Sequence, residues 1–211
     1  MKALVLDQDG VVIKKATRFS ARLAEEYQVP PEKINEFFKN EFKDCLIDKK
    51  DLKESIKKYL PGWGWQGSVE ELLEFWFHGE SEINKDVLQL IRLLRAKGVA
   101  VYVATNNEKY RTTYVKKELG LGKEFDGFYS SADLYCLKPE RVFYKKVTDL
   151  IIVNITHNKR KIKNVTKFAA SDIIYWDDDE ENVLGAEKFG WKAFLYSSFE
   201  DFDDLINQYL T

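Results

Sequence analysis

The sequence predicts an α/β protein: a doubly wound parallel sheet carrying a small α-helical cap. Three observations support that expectation. Short runs rich in Val, Ile, Leu or aromatic residues recur at Ala3–Leu6, Val99–Ala104, Gly127–Ser130, Ile173–Trp176 and Ala193–Tyr196. Such runs suit strands buried on both faces of a sheet. Helical patterns alternate with the later runs, and strand–helix alternation implies parallel strands joined by crossovers. Between residues 16 and 80 the alternation stops, and helical patterns follow one another without a strand.

The elements can be read in order. Ala3–Leu6 leads directly into Asp7-Gln8-Asp9-Gly10. Helical patterns then cover Ser20–Tyr27, Glu32–Lys43, Lys50–Tyr59 and Val69–His78, with Pro30-Pro31 and Pro61-Gly62-Trp63-Gly64 as breaks. Ile83–Lys97 places Ile83, Val87, Leu90, Ile91 and Leu94 on one face and stops at Gly98. Tyr110–Leu119 closes at Gly120, and Asn182–Phe189 closes at Gly190. Residues 1–15 and 81–211 are thus expected to form the α/β core. Residues 16–80 are expected to form a helical cap, read as a lid because they follow the acidic loop.

Composition narrows the class. The chain has 211 residues, 45% of them hydrophobic, which suits one domain with a small insertion. A net charge of −2, with many charges of both signs, supplies no bulk attraction to nucleic acid or an anionic membrane. Cys45 and Cys136 are far apart and form no CxxC pair, so a reducing, cytoplasmic compartment is expected. The first strand is expected straight after Met1-Lys2, so no secretory leader is expected. No apolar run reaches membrane-spanning length. Nothing in the sequence speaks to an oligomeric state.

Four strand ends carry polar clusters. Side chains two apart on a strand point the same way, so Asp7 and Asp9 can converge at the carboxyl edge of the sheet, with Gly10 permitting the bend. Open α/β sheets place ligands at that edge. Two close carboxylates repel unless a cation or a proton lies between them. Asp-Gly is also an ordinary surface turn. Val99–Ala104 ends in Thr105-Asn106-Asn107, whose hydroxyl and backbone N–H groups suit a phosphate oxygen or a plain helix cap. Lys138 precedes Pro139 at a helix start. Ile173–Trp176 ends in Asp177-Asp178-Asp179-Glu180-Glu181-Asn182, a further carboxylate source or an acidic helix start favoured by the macrodipole.

Together these clusters resemble the haloacid dehalogenase superfamily. Asp7-Gln8-Asp9-Gly10-Val11 looks like its first motif, Thr105 its second, and Lys138-Pro139 its third. Asp177-Asp178 followed by Asn182-Val183 looks like its fourth. The resemblance covers nearly the whole chain, and within the superfamily it is strongest to small phosphatases of the sugar-phosphate kind. It implies a Mg²⁺-dependent phosphomonoester phosphatase acting on a small phosphorylated metabolite. Asp7 would attack phosphorus and Asp9 would serve as acid and base. Thr105, the Asn106 backbone and Lys138 would hold the phosphoryl oxygens. Asp7, the Asp9 carbonyl and Asp178 would bind Mg²⁺, and Gly10, Asp177 and Asn182 would support them, with Asp177 orienting Lys138 or the metal's waters. A phosphomutase, a C–halogen hydrolase or a non-catalytic binding protein would be other uses of the same site. Dehalogenation needs no acid for its leaving group, which weighs against it where Asp9 is present.

Some features depart from the resemblance or stand outside it. Lys14, Lys15 and Arg18 follow the acidic loop closely and are read as solvated, with an anionic substrate as the other possibility. Trp63 and Trp65 lie between glycines, where they line a substrate pocket or pack within the cap. His78 and His157 lack a catalytic or metal setting. Residues 150–171 contain no acidic residue and carry Lys159, Arg160, Lys161, Lys163 and Lys167. They are read as a solvated surface insertion rather than a nucleic-acid patch.

Overall fold

The computed structural model describes residues 2–157 and 168–210. Its centre is one parallel sheet of five strands: β1 (Ala3–Leu6), β2 (Ala100–Thr105), β3 (Gly127–Ser130), β4 (Ile173–Asp177) and β5 (Lys192–Leu195). The strand order is β3-β2-β1-β4-β5. The chain builds outward from β1 in one direction, then crosses back to start β4 on its other side. That reversal opens a crevice at the carboxyl ends of β1 and β4. Leu6 aligns with Val103 on one neighbour and Trp176 on the other, so Asp7 and Asp177 leave the sheet side by side.

Alternation along β1 divides the core. Leu4 and Leu6 face a cluster containing Val87, Ile91, Val101, Val103, Phe202 and Ile206. Ala3 and Val5 face Phe143, Tyr144, Val147, Ile151 and Ala186. The first cluster is covered by α6 (Lys85–Ala96) and α11 (Phe199–Leu210), and the second by α9 (Arg141–His157) and α10 (Glu180–Phe189). Helices on both faces make the sheet doubly wound, as the sequence predicts. The remaining core helices are α7 (Lys109–Lys117) and α8 (Ser131–Leu134).

The expected helical block is present as α1 (Phe19–Glu26), α2 (Pro31–Phe37), α3 (Lys43–Leu46), α4 (Leu52–Lys57) and α5 (Val69–Gly79). The pattern over Glu32–Lys43 is not one regular helix. A π-helical turn at Phe38–Phe42 joins α2 to α3. The wider turn brings residues five apart together, and the Phe37 and Phe42 rings lie 5.8 Å from each other. Asp51 caps α4 by accepting the Lys53 and Glu54 N–H groups at 2.9 and 3.2 Å. Ser68 and Glu71 close a capping box on α5. The block has its own apolar cluster, including Phe19, Phe37, Trp63, Leu72 and Trp76. Its two ends are tied together: Ile13 bridges Ile83 antiparallel, and the Lys14 N–H donates to Glu82 O at 2.8 Å.

Other expectations change too. The run read as the start of a surface insertion is, over residues 150–157, the end of α9, with Ile151 and Ile155 buried against the sheet. The helix escaped notice because its apolar residues are β-branched and it lacks a glycine stop. Lys159, Arg160, Lys161, Lys163 and Lys167 lie outside the described residues. The last strand starts at Lys192, one residue before the predicted Ala193. Among the described residues no helix is long and apolar enough to cross a membrane. His78 and His157 are exposed, and His157 Nδ1 lies 2.8 Å from Val153 O.

Gly185 gives a test of the packing. A Cβ there would lie 2.7 Å from Pro139 Cβ and 2.9 Å from Pro139 O. Gly→Ala inside an exposed helix stabilises by about 1 kcal/mol. Here the overlap should reverse the sign, so Gly185→Ala should destabilise by about 1–3 kcal/mol in urea unfolding. A stabilised variant would show that the Pro139 segment yields freely.

Candidate active site

The carboxyl ends of β1, β2 and β4 bring the expected residues together around Lys138. Its Nζ donates to Asp7 Oδ1 at 2.8 Å, Asp177 Oδ2 at 2.7 Å, Ala104 O at 3.0 Å and the Tyr175 hydroxyl at 3.1 Å. The residue is 4% exposed. Asn106 fixes the segment that carries it: Asn106 Nδ2 donates to Lys138 O at 3.0 Å, and Lys138 N donates to Asn106 Oδ1 at 2.9 Å. Burial alone would lower the Lys138 ammonium, but the charges of Asp177 and Asp7 outweigh it and hold the group above its usual range.

The two aspartates of this pair differ. Asp177 is fully buried and accepts from Lys138, Tyr175, Asn182 Nδ2 (3.2 and 3.1 Å) and Asp179 N (2.9 Å). Burial opposes its anion, yet Lys138 and these donors hold its carboxyl below the usual range. Asp7 has fewer partners, and its side chain keeps 10% of its surface open. Burial, then the Asp177 charge, push its carboxyl up to about 8, and Lys138 only partly offsets them. More positive charge beside Asp7 would therefore be favourable. Asp178 lies on the other side of Gly10, whose φ is +94°. A Cβ at Gly10 would stand 2.3 Å from Asp178 Cγ, so only glycine admits that carboxylate. Asp7, Asp177 and Asp178 offer oxygens within 4.8 Å of one another, a hard donor set that suits a divalent cation.

Asp9 stands apart from this pair. Asn107 Nδ2 donates to Asp9 Oδ2 at 2.7 Å and to Thr105 Oγ1 at 2.9 Å. Gln8 Nε2 donates to Asp9 Oδ2 at 2.9 Å, and Arg111 donates to Asp9 Oδ1 at 3.0 Å. A cleft of about 290 Å³ opens between this group and the helical block. Asp9, Gly10, Asn106, Asn107 and Asp178 line one side. Arg18, Phe42, Trp76, Phe77 and Glu80 line the other.

The pocket tryptophan is not one of those singled out from sequence. Trp63 is 1% exposed within the block and donates from Nε1 to Lys33 O at 3.1 Å. Trp65 packs on Tyr27 and donates to Ser68 O at 3.0 Å. Trp76 and Phe77 line the cleft instead, because the cleft-facing end of α5 carries them. The three cations read as solvated also line it. Lys14 pairs with Glu82 at 2.8 Å and Lys15 with Asp178 at 2.9 Å. Sequence reasoning also missed Asn107 and Arg111. Asn107 is adjacent to the second motif, but nothing in a polar helix start marks one arginine as buried.

A family model of haloacid dehalogenase-like hydrolases matches residues 1–190. The chain belongs to that family. Solved structures agree on the fold. A family enzyme from Bacteroides thetaiotaomicron superposes with a TM-score of 0.79 at 20% identity, covering 98% of each chain. The same enzyme has been solved with magnesium and inorganic phosphate, with a TM-score of 0.75 at 21% identity over 97% of this chain and 98% of that one. A 2-haloacid dehalogenase from Pseudomonas syringae pv. Tomato DC3000 gives 0.65 at 17% identity, covering 99% of this chain and all of its own.

Glu108, at the start of α7, adds a pH-dependent feature to this hydrolase. It is 2% exposed and accepts the Tyr110 and Arg111 N–H groups at 2.6 and 2.5 Å. Burial pushes its carboxyl from 4.5 up to about 7, the two backbone N–H groups offsetting only part of that. The folded state thus favours the protonated acid. That contribution is complete below pH 4.5 and is lost as pH rises through about 7. Glu108→Gln cannot ionise. Its stability relative to the parent should rise by roughly 3 kcal/mol across that window in urea unfolding. A flat difference would mean that Glu108 titrates as an ordinary carboxylate.

Proposed function

We propose that this hydrolase is a Mg²⁺-dependent phosphomonoester phosphatase acting on a small phosphorylated metabolite. The observation that carries the reading is the buried ammonium of Lys138 between Asp7 and Asp177, with a third carboxylate, Asp9, at the adjoining cleft. The first pair suits attack on phosphorus, and Asp9 suits an oxygen leaving group, which needs a proton. A halide leaves without one. The related enzyme solved with magnesium and inorganic phosphate supports the same reading.

In this reading a carboxylate oxygen of Asp7 forms a bond to phosphorus as the ester P–O bond breaks. Asp9 gives its proton to the departing oxygen. It then takes a proton from the water that attacks the aspartyl phosphate, releasing inorganic phosphate and restoring Asp7. The Thr105 hydroxyl, the Asn106 N–H and Lys138 hold the phosphoryl oxygens. Asp177, its oxygens already filled by donors, keeps Lys138 in place. Asp7, Asp178 and the Asp9 carbonyl are assigned to Mg²⁺, which when bound neutralises the carboxylates and the phosphoryl charge. Residues 16–80 act as a cap over the leaving group. The buried free thiols of Cys45 and Cys136 fit a reducing compartment such as the cytoplasm.

The first test is phosphate release. The parent enzyme with Mg²⁺ should hydrolyse p-nitrophenyl phosphate, lose activity in EDTA and regain it with Mg²⁺. Asp7→Asn should lower kcat by about 10³-fold or more. Turnover that survives exhaustive chelation would remove the metal, and an active Asn variant would reassign the nucleophile. The second test concerns the cap. Arg18 lines the cleft and has no ion pair among the described residues. Arg18→Gln should raise KM for the preferred metabolite about tenfold while changing p-nitrophenyl phosphate little. Trp63→Ala should instead lower stability by about 3–5 kcal/mol. Equal effects of Arg18→Gln on both esters would place specificity elsewhere.

A further inference from the structure

Arg111 is 4% exposed, and its guanidinium is shared between two parts of the fold. One arm of the fork donates to Asp9 Oδ1 at 3.0 Å. The same nitrogen donates to Glu80 O, and the other terminal nitrogen donates to Phe77 O at 3.0 Å and Ser81 Oγ at 3.1 Å. Phe77 and Glu80 form the last turn of α5 and its C-cap, where the carbonyls lack helical partners and attract cations. Ser81 begins the segment that returns the chain to the sheet through the Ile13–Ile83 bridge. Glu80 is itself fastened to the block, since its carboxylate accepts from Phe19 N and from Trp76 Nε1 at 3.1 Å.

We infer that Arg111 is a positioning residue that ties the side chain of Asp9 to the segment by which the helical block rejoins the sheet, so that the placement of the block sets the orientation of Asp9. The inference rests on the phosphatase reading, which gives Asp9 its acid–base role. Arg111 acts through Asp9. Its rigid, planar donors meet several acceptors at once, which a lysine ammonium on a flexible stem cannot do in the same geometry. The Asp9 side chain is 46% exposed, so without the fork little else would fix Oδ1. On the other side, Asn107 and Gln8 hold Oδ2. Asp9 is therefore held from the sheet edge through one oxygen and from the helical block through the other. A shift of α5 toward or away from the sheet is transmitted through Arg111 to the oxygen that must meet the leaving group.

The test compares leaving groups. p-Nitrophenolate departs without a proton, whereas the alkoxide of glycerol phosphate needs one. General acid catalysis typically contributes about 10²–10⁴-fold. In Arg111→Lys and Arg111→Gln, the first-turnover rate of alcohol release should fall about 10²-fold for glycerol phosphate and less than about fivefold for p-nitrophenyl phosphate, while the later water attack, for which Asp9 serves as base, slows alike for both. Adding Arg111→Lys to Asp9→Asn should then cause little further loss on glycerol phosphate, because the two residues act as one unit. If Arg111→Gln does not fold, Arg111→Lys carries the comparison. Should neither fold, Ser81→Ala, which removes a single anchor on the block's side, should shift the ratio in the same direction. Equal losses on both esters, an unchanged ratio in a folded variant, or full additivity with Asp9→Asn would overturn the inference while leaving the phosphatase reading intact. A parent enzyme that releases phosphate from neither ester would overturn both.

Discussion

The site depends on a lysine almost closed off from water. Lys138 lies between Asp7 and Asp177, and each of the three charges would be costly there alone. Lys138 attracts both carboxylates, which makes burial tolerable although Asp7 and Asp177 repel each other, and the third N–H of the ammonium lies within reach of Ala104 O and the Tyr175 hydroxyl. Removing Lys138 would leave two carboxylates facing each other without a cation at the edge of the sheet. The constraint reaches outward. Asn106 must grip the backbone of Lys138, Asn182 must reach Asp177, and Gly185 must let α10 approach Pro139.

The sheet order explains why residues distant in sequence serve one charge cluster. β1 and β4 are neighbours although more than half the chain lies between them. Successive aspartates at the end of β4 divide the task. Asp177 is enclosed with its oxygens filled, while Asp178 emerges beside Gly10 and, among the described residues, pairs with Lys15 alone. One carboxylate is spent on structure, and its neighbour is left for a ligand.

Much of this was legible in the sequence. The five strands were visible because buried parallel strands are apolar on both faces. Asp7, Asp9, Thr105 and Asp177–Asp178 stood out because each lies at the end of such a strand, and Lys138 because it precedes Pro139 at a helix start. α9 was less visible, since its β-branched residues do not separate helix from strand. Of the two readings of Trp63 and Trp65, packing within the block holds, and the tryptophan that lines the cleft is Trp76, which no glycine neighbours mark. Arg111 was invisible for a physical reason. A lone arginine near a helix start is ordinarily solvated, and its burial follows only from where α5 ends, which is a tertiary fact.

The paired crossing at Ile13 and Ile83 bears on how such a protein can change over generations. The chain leaves the sheet and returns to it at adjacent points, so the sheet does not register how much polypeptide is threaded between them. Enlarging a loop costs only about 0.6 kcal/mol for each doubling of its length. The helical block also carries an apolar centre of its own. Selection can therefore exchange, shrink or enlarge the block as a cassette while the carboxyl edge of the sheet stays fixed, provided that whatever replaces it still offers carbonyl groups to Arg111.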